Sequence, residues 1–120
     1  MIKEPGYDEW LSIPEIADIL NLRQRDVRTA VADHRLVAIR RGENNAWAIN
    51  GGQIIVKDGE AKILPSLHGT LIALQDAGFS SDESLAWLLR HDEELECAPL
   101  HALRDGKTHA VRRVIIGLAF

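Results

Sequence analysis

The sequence predicts an α+β fold, mostly helical, with a helix–turn–helix and a β-hairpin in the first half of the chain and helices alone in the second. Three observations predict it. Residues 12–33 carry two apolar runs at helical spacing, separated by a short polar break. Residues 36–49 carry two β-prone runs around a Gly/Asn turn. From Pro65 onward, leucines recur every three or four residues between capping signals.

The first helix begins at Ser12, which stands three residues before Glu15 in the S-x-x-E spacing of a capping box. Ile13, Ile16, Ala17 and Leu20 then form one apolar stripe, and Asn21 closes the helix because Asn tolerates the left-handed backbone of a C-cap. A second helix is expected from about Gln24 to Asp33. It turns Val27, Ala30 and Val31 inward and Arg25, Arg28, Thr29 and Ala32 outward. Leu36–Arg40 and Ala46–Ile49 flank Arg41-Gly42-Glu43-Asn44-Asn45, a hairpin. Trp10 and Trp47 are expected as lids on the core. Gln53–Lys57 reads as a further strand or small hairpin, punctuated by Gly51-Gly52 and Gly59.

In the second half, Leu67, Leu71 and Leu74 share a stripe that ends at Gly78. Ser80 and Glu83 repeat the capping box ahead of Leu85, Leu88 and Leu89. Pro99 opens a short helix that stops at Gly106. Thr108 caps a last helix with Val111, Val114, Ile115 and Leu118 facing inward.

A chain of 120 residues with 46% hydrophobic and 27% charged residues is an ordinary globule, one domain or one small module with a helical extension packed on it. The expected division is 1–62 and 63–120. No apolar run approaches the roughly 20 residues of a membrane span, and MIKEPGYDEW lacks the basic start and apolar stretch of a signal peptide. A cytoplasmic, nucleoid-associated location without membrane contact is therefore expected. The single Cys97 is expected as a buried inert thiol. The five histidines show neither H-x-x-x-H nor H-E-x-x-H spacing, and the glycines form no phosphate or dinucleotide loop. No enzyme activity, cofactor or metal site is expected.

The net charge of -4 conceals a block pattern. Residues 1–22 hold one Lys and five acids, whereas residues 23–41 hold Arg23, Arg25, Arg28, Arg35, Arg40 and Arg41 against Asp26 and Asp33. Salt screens charges beyond about 8 Å, so a phosphate docked at this patch feels mainly the arginines. Helix, turn, basic helix and hairpin in this order describe a winged helix-turn-helix, whose second helix enters the major groove of double-stranded DNA.

The stretch LSIPEIADILNLRQRDVRTAVADHRLVAIRRGENNAWAI resembles excisionase-like and MerR-like DNA-binding domains, with Asn21 where the turn usually has glycine. The resemblance implies transcription regulation. It makes Gln24, Arg25, Arg28 and Thr29 recognition-helix candidates beside Arg23, and it makes Arg35, Arg40, Arg41, Asn44 and Asn45 backbone or minor-groove contacts.

The segments LHGTLIALQDAGFSSDESLAWLL and PLHALRDGKTHAVRR resemble the C-terminal region of an actinobacterial family of small winged-helix DNA-binding proteins, a mycobacterial member of which is a Ser/Thr kinase substrate. The resemblance implies a DNA-binding regulator with a Ser/Thr kinase as partner. The family's N-terminal threonine acceptor has no counterpart here, since no Ser or Thr stands before Ser12. The last 30 residues also resemble toxin-binding tails of antitoxins. That supplies the alternative, an antitoxin-like or adaptor module whose C-terminal helices dock a protein partner or a second copy as a homodimer.

Overall fold

A computed structural model describes residues 3–118. The fold is α+β, with six α-helices and two small antiparallel sheets among the described residues. By its contacts the chain divides into two compact units, Met1–Pro65 and Ser66–Phe120.

The first unit runs β1 (Trp10–Leu11), α1 (Ile13–Leu20), α2 (Gln24–Ala32), β2 (Ala38–Arg41), β3 (Ala46–Asn50), a 3₁₀ turn (Gly51–Gln53), β4 (Ile54–Lys57) and β5 (Glu60–Ile63). The local signals around α1 act as expected. The Ser12 hydroxyl accepts from the Glu15 N–H at 3.2 Å, and the Glu15 carboxylate accepts from the Ser12 N–H at 2.9 Å. Asn21 closes the helix in the left-handed region at φ 57. At α2, Arg23 holds the N-cap position without a side-chain acceptor; only the reverse bond forms, from the Arg23 N–H to Asp26 at 3.3 Å.

Leu11, Ile13, Ile16, Ala17, Val27, Ala30, Leu36, Ala38, Ile49 and Ile54 form this unit's core. Each fully buried Leu or Ile contributes about 1.5–3 kcal/mol of transfer free energy. Ile54 also ties the second hairpin, β4–β5, to that core. Residues 4–9 strap the unit. Glu4 accepts from the Val56 N–H at 2.9 Å, the Tyr7 carbonyl from the Asn50 amide at 3.0 Å, and the Glu9 carbonyl from the Gly51 N–H at 2.8 Å.

The strand bounds differ from expectation. β2 begins at Ala38 rather than Leu36 and includes Arg41, and β3 extends to Asn50. The extension has a cause that the sequence pattern missed. β1 pairs with β3, placing Trp10 opposite Asn50 and Leu11 opposite Ile49, so the sheet order is β1-β3-β2.

The second unit contains α3 (Leu67–Asp76), α4 (Ser81–Leu89), α5 (Pro99–Arg104) and α6 (Thr108–Leu118). Leu67, Leu71, Leu74, Leu85, Trp87, Leu88, Leu100, Leu103, Val111 and Ile115 are buried. The Ser80–Glu83 capping box forms in both directions. Three expectations are corrected. Thr108 is the first helical residue of α6 rather than its cap. Val114 is half-buried and Leu118 exposed, because Val111 and Ile115 alone occupy the narrow buried stripe of α6. Cys97 is half-buried, beside an isolated bridge between Asp92 and Cys97. No helix among the described residues is long and apolar enough to cross a membrane.

Candidate nucleic-acid interface

The rotation of α2 sorts its side chains. Val27 and Ala30 are buried, whereas Gln24, Arg25, Arg28, Thr29 and Ala32 are exposed. Arg25 and Arg28 make no hydrogen bond or contact ion pair among the described residues, so both guanidinium groups face solvent with their donors unused. Arg23 differs, since its Nε lies 3.3 Å from Asp26. The Asp26 carboxyl is held below its ordinary pKa, first by the Arg23 backbone N–H and then by the charges of Arg23 and Arg25. The Thr29 hydroxyl donates to the Arg25 carbonyl at 3.0 Å and so stays close to the helix.

The hairpin presents the remaining candidates. The register sets Arg40 directly opposite Trp47 and Arg41 opposite Ala46. Because side chains alternate across a strand, Arg40 and Trp47 share the sheet face of Ala38, Ile49 and Leu11, and Arg41 shares the other face with Trp10. An arginine lies over a tryptophan on each face. Arg40 is 4.2 Å from the Trp47 ring centroid, and Arg41 is 4.0 Å from that of Trp10. Each such pair contributes about 0.5–1 kcal/mol at an exposed site and leaves the guanidinium charged.

Arg40 also donates to the Asn45 carbonyl at 2.9 Å, bracing the turn where Asn45 sits at φ 52. Asn44 is exposed in the same turn. Arg35 is exposed just past α2 and faces Asp33 at 3.4 Å.

All ten sequence candidates are therefore on the surface. Of these, Arg28 alone lines the groove of ≈ 250 Å³ between α2 and the hairpin, with Ile13, Val31, Ala32, Ala38 and Trp47. Arg23, Gln24 and Arg25 instead line an open cleft at the interhelical turn, with Pro14, Ala17, Asp18 and Leu22. Arg41 belongs to the opposite sheet face from Arg40. The expectation of Trp10 and Trp47 as core lids is corrected. Trp10 is half-buried under Arg41, and Trp47 is 44% exposed under Arg40. The signal for these pairs was cross-strand register, which no local spacing carries.

The chain is thus an α+β protein whose first unit displays an arginine-rich helix and hairpin on a small core, followed by a unit of four helices. Residues 64–119 match a family model described as the Rv2175c C-terminal domain of unknown function. Among solved structures, the NMR structure of Rv2175c is similar at a TM-score of 0.79 and 23% identity, over 94% of this chain and 82% of that one. At this identity the likeness is one of fold. No curated protein matches the sequence.

Proposed function

We propose that this protein is a winged helix-turn-helix regulator of transcription that binds duplex DNA, with α2 as the recognition helix and the β2–β3 hairpin as the wing. The observation that carries the reading is the exposure of Arg25 and Arg28, without a hydrogen bond or contact ion pair among the described residues, on the helix that follows the α1–α2 turn. Exposed guanidinium groups with unused forks suit bidentate contact with phosphates or with guanine edges. The wing arginines, held over tryptophans, are pre-oriented cations that lose less rotamer freedom on binding a phosphate.

The test is fluorescence anisotropy of random duplex DNA titrated with wild type and with Arg25→Ala/Arg28→Ala, at two salt concentrations. Salt-sensitive binding by the wild type, lost in the folded double variant, is expected. Wild-type protein that does not bind duplex at low salt overturns the reading.

A second reading, protein docking through the C-terminal helices, has one observation in its favour. Ile116 is 63% exposed and Leu118 45% exposed at the end of α6. A stable heteromeric complex recovered through α6, with no affinity for duplex, would favour it.

A further inference from the structure

The groove between α2 and the wing differs chemically from the arginine surface around it. Ile13, Val31, Ala32 and Ala38 supply an apolar lining, and Arg28 and the exposed part of Trp47 complete it. No carboxylate is among the described residues that line it. At ≈ 250 Å³ it is smaller than the ~300–1,000 Å³ typical of small-molecule pockets. Arg40 covers one side of the Trp47 indole at 4.2 Å, which removes that side as a stacking platform for a base. What remains is an apolar notch lined by Arg28 from α2 and walled by Trp47, the ring on which Arg40 of β2 rests.

We propose that this notch seats one deoxyribose of the DNA strand that passes between recognition helix and wing. The ring packs against Trp47 and Ala32, and its flanking phosphates meet Arg28 and Arg40. The proposal rests on the DNA-binding reading above and deepens it. Charge and polarity select the occupant. A sugar–phosphate strand alternates an apolar ring with anions, and the notch sets an apolar lining beside Arg28 and near the Arg40 stacked on Trp47. A ribose is disfavoured there, because its 2′-hydroxyl would be desolvated against Ile13, Val31, Ala32 and Ala38 without a hydrogen-bond partner.

Ala32 is the position to test, since it is exposed, lines the notch, and accepts Leu at no helical cost beyond a small propensity change. In anisotropy titrations, Ala32→Leu should fill the notch and weaken duplex DNA about tenfold, the scale of one lost apolar contact. The slope of log affinity against log salt should stay as in wild type, because no charge changes. Trp47→Ala, checked for folding by its thermal melt, should weaken DNA to a similar degree. A duplex RNA of the same sequence should bind wild type less tightly than the DNA. Wild-type affinity in both folded variants, with salt-sensitive DNA binding intact, overturns the sugar seat and spares the DNA-binding reading. RNA binding as tight as DNA overturns it as well. Failure of wild type to bind any duplex overturns both together.

Discussion

Gln53 pairs with Val37 as a neighbouring strand would. The Val37 N–H donates to Gln53 Oε1 at 2.8 Å, and Gln53 Nε2 donates to the Val37 carbonyl at 2.9 Å. Gln53 is fully buried and Val37 is 4% exposed, so neither backbone group has water as a substitute. One carboxamide thereby satisfies the chain just before β2, at the root of the wing. Its backbone continues the tie, since the Leu64 N–H donates to the Gln53 carbonyl at 2.8 Å.

Replacing Gln53 strands both Val37 groups. Gln53→Leu should destabilise the first unit by about 2–6 kcal/mol, given roughly 1–3 kcal/mol for each of the two buried polar groups left without a partner. Gln53→Glu keeps the acceptor and loses the donor while burying a carboxyl, so it too should destabilise. Urea unfolding followed by circular dichroism checks both. Wild-type midpoints would show that the pairing carries no net free energy.

Two glycines should respond unequally to the same added methyl. At Gly51 a Cβ would run into the Gly6 carbonyl oxygen and crowd Pro5, which are parts of the strap. At Gly69 it would meet the tip of the Arg112 side chain, which can swing away. Gly51→Ala should cost about 1–3 kcal/mol, the usual range for overpacking. Gly69→Ala should be near neutral, helped by the helix preference of Ala over Gly. Thermal melts of the two variants give the comparison.

The capping boxes make stability pH-dependent. The Glu15 carboxyl is held below the ordinary range first by the Ser12 backbone N–H, and Glu83 likewise by that of Ser80. A carboxyl with a lowered folded-state pKa stabilises the fold fully above its unfolded value, about 4.3 for Glu. That contribution fades as the pH falls through the lower folded value. Glu15→Gln and Glu83→Gln should therefore lose stability at neutral pH and show a shallower acid decline than wild type. Ser12→Ala and Ser80→Ala should each cost about 1 kcal/mol. Denaturant midpoints measured from pH 7 down to pH 3 test all four.

The arginines should separate by salt dependence. If about four to six phosphates are neutralised, log affinity should fall with log salt at a slope of roughly −4 to −5. Arg40→Ala should weaken all duplexes alike and reduce the slope by about 1, whereas loss of a base reader costs about 1–3 kcal/mol on the preferred site alone. Arg25→Ala and Arg28→Ala should leave the melting temperature nearly unchanged, since neither side chain makes a hydrogen bond or contact ion pair among the described residues. A salt-independent affinity would contradict the phosphate contacts.

Much of this was readable because the signals are local. Ser12, Glu15 and Asn21 bound α1 through bonds within one helical turn, and Ser80 and Glu83 do the same for α4. The exposure of the arginines on α2 follows from helical rotation alone. What escaped depends on pairing across the fold. β1 has two residues, too few to show alternation, and only its partner strand defines it. Gln53 reads as an ordinary polar residue ahead of a β-prone run, and its role appears only once Val37 lies beside it. Trp47 lies under Arg40 because of the hairpin's register, and Leu118 is exposed because the buried stripe of α6 ends at Ile115.

The three tryptophans give the molecule a built-in pair of colours. Trp87 is 5% exposed within the second unit and should emit in the blue, while Trp47 in the first is 44% exposed and should emit to the red, with a guanidinium resting on its ring. Trp10 shares that first unit and lies under a guanidinium of its own. The shortest-wavelength light therefore belongs to Trp87 of the helical half and the most quenchable to Trp47 of the arginine-bearing half, with the half-buried Trp10 between them. In one unlabelled sample the blue edge of the emission follows the helical half and the red edge follows Trp47 in the other.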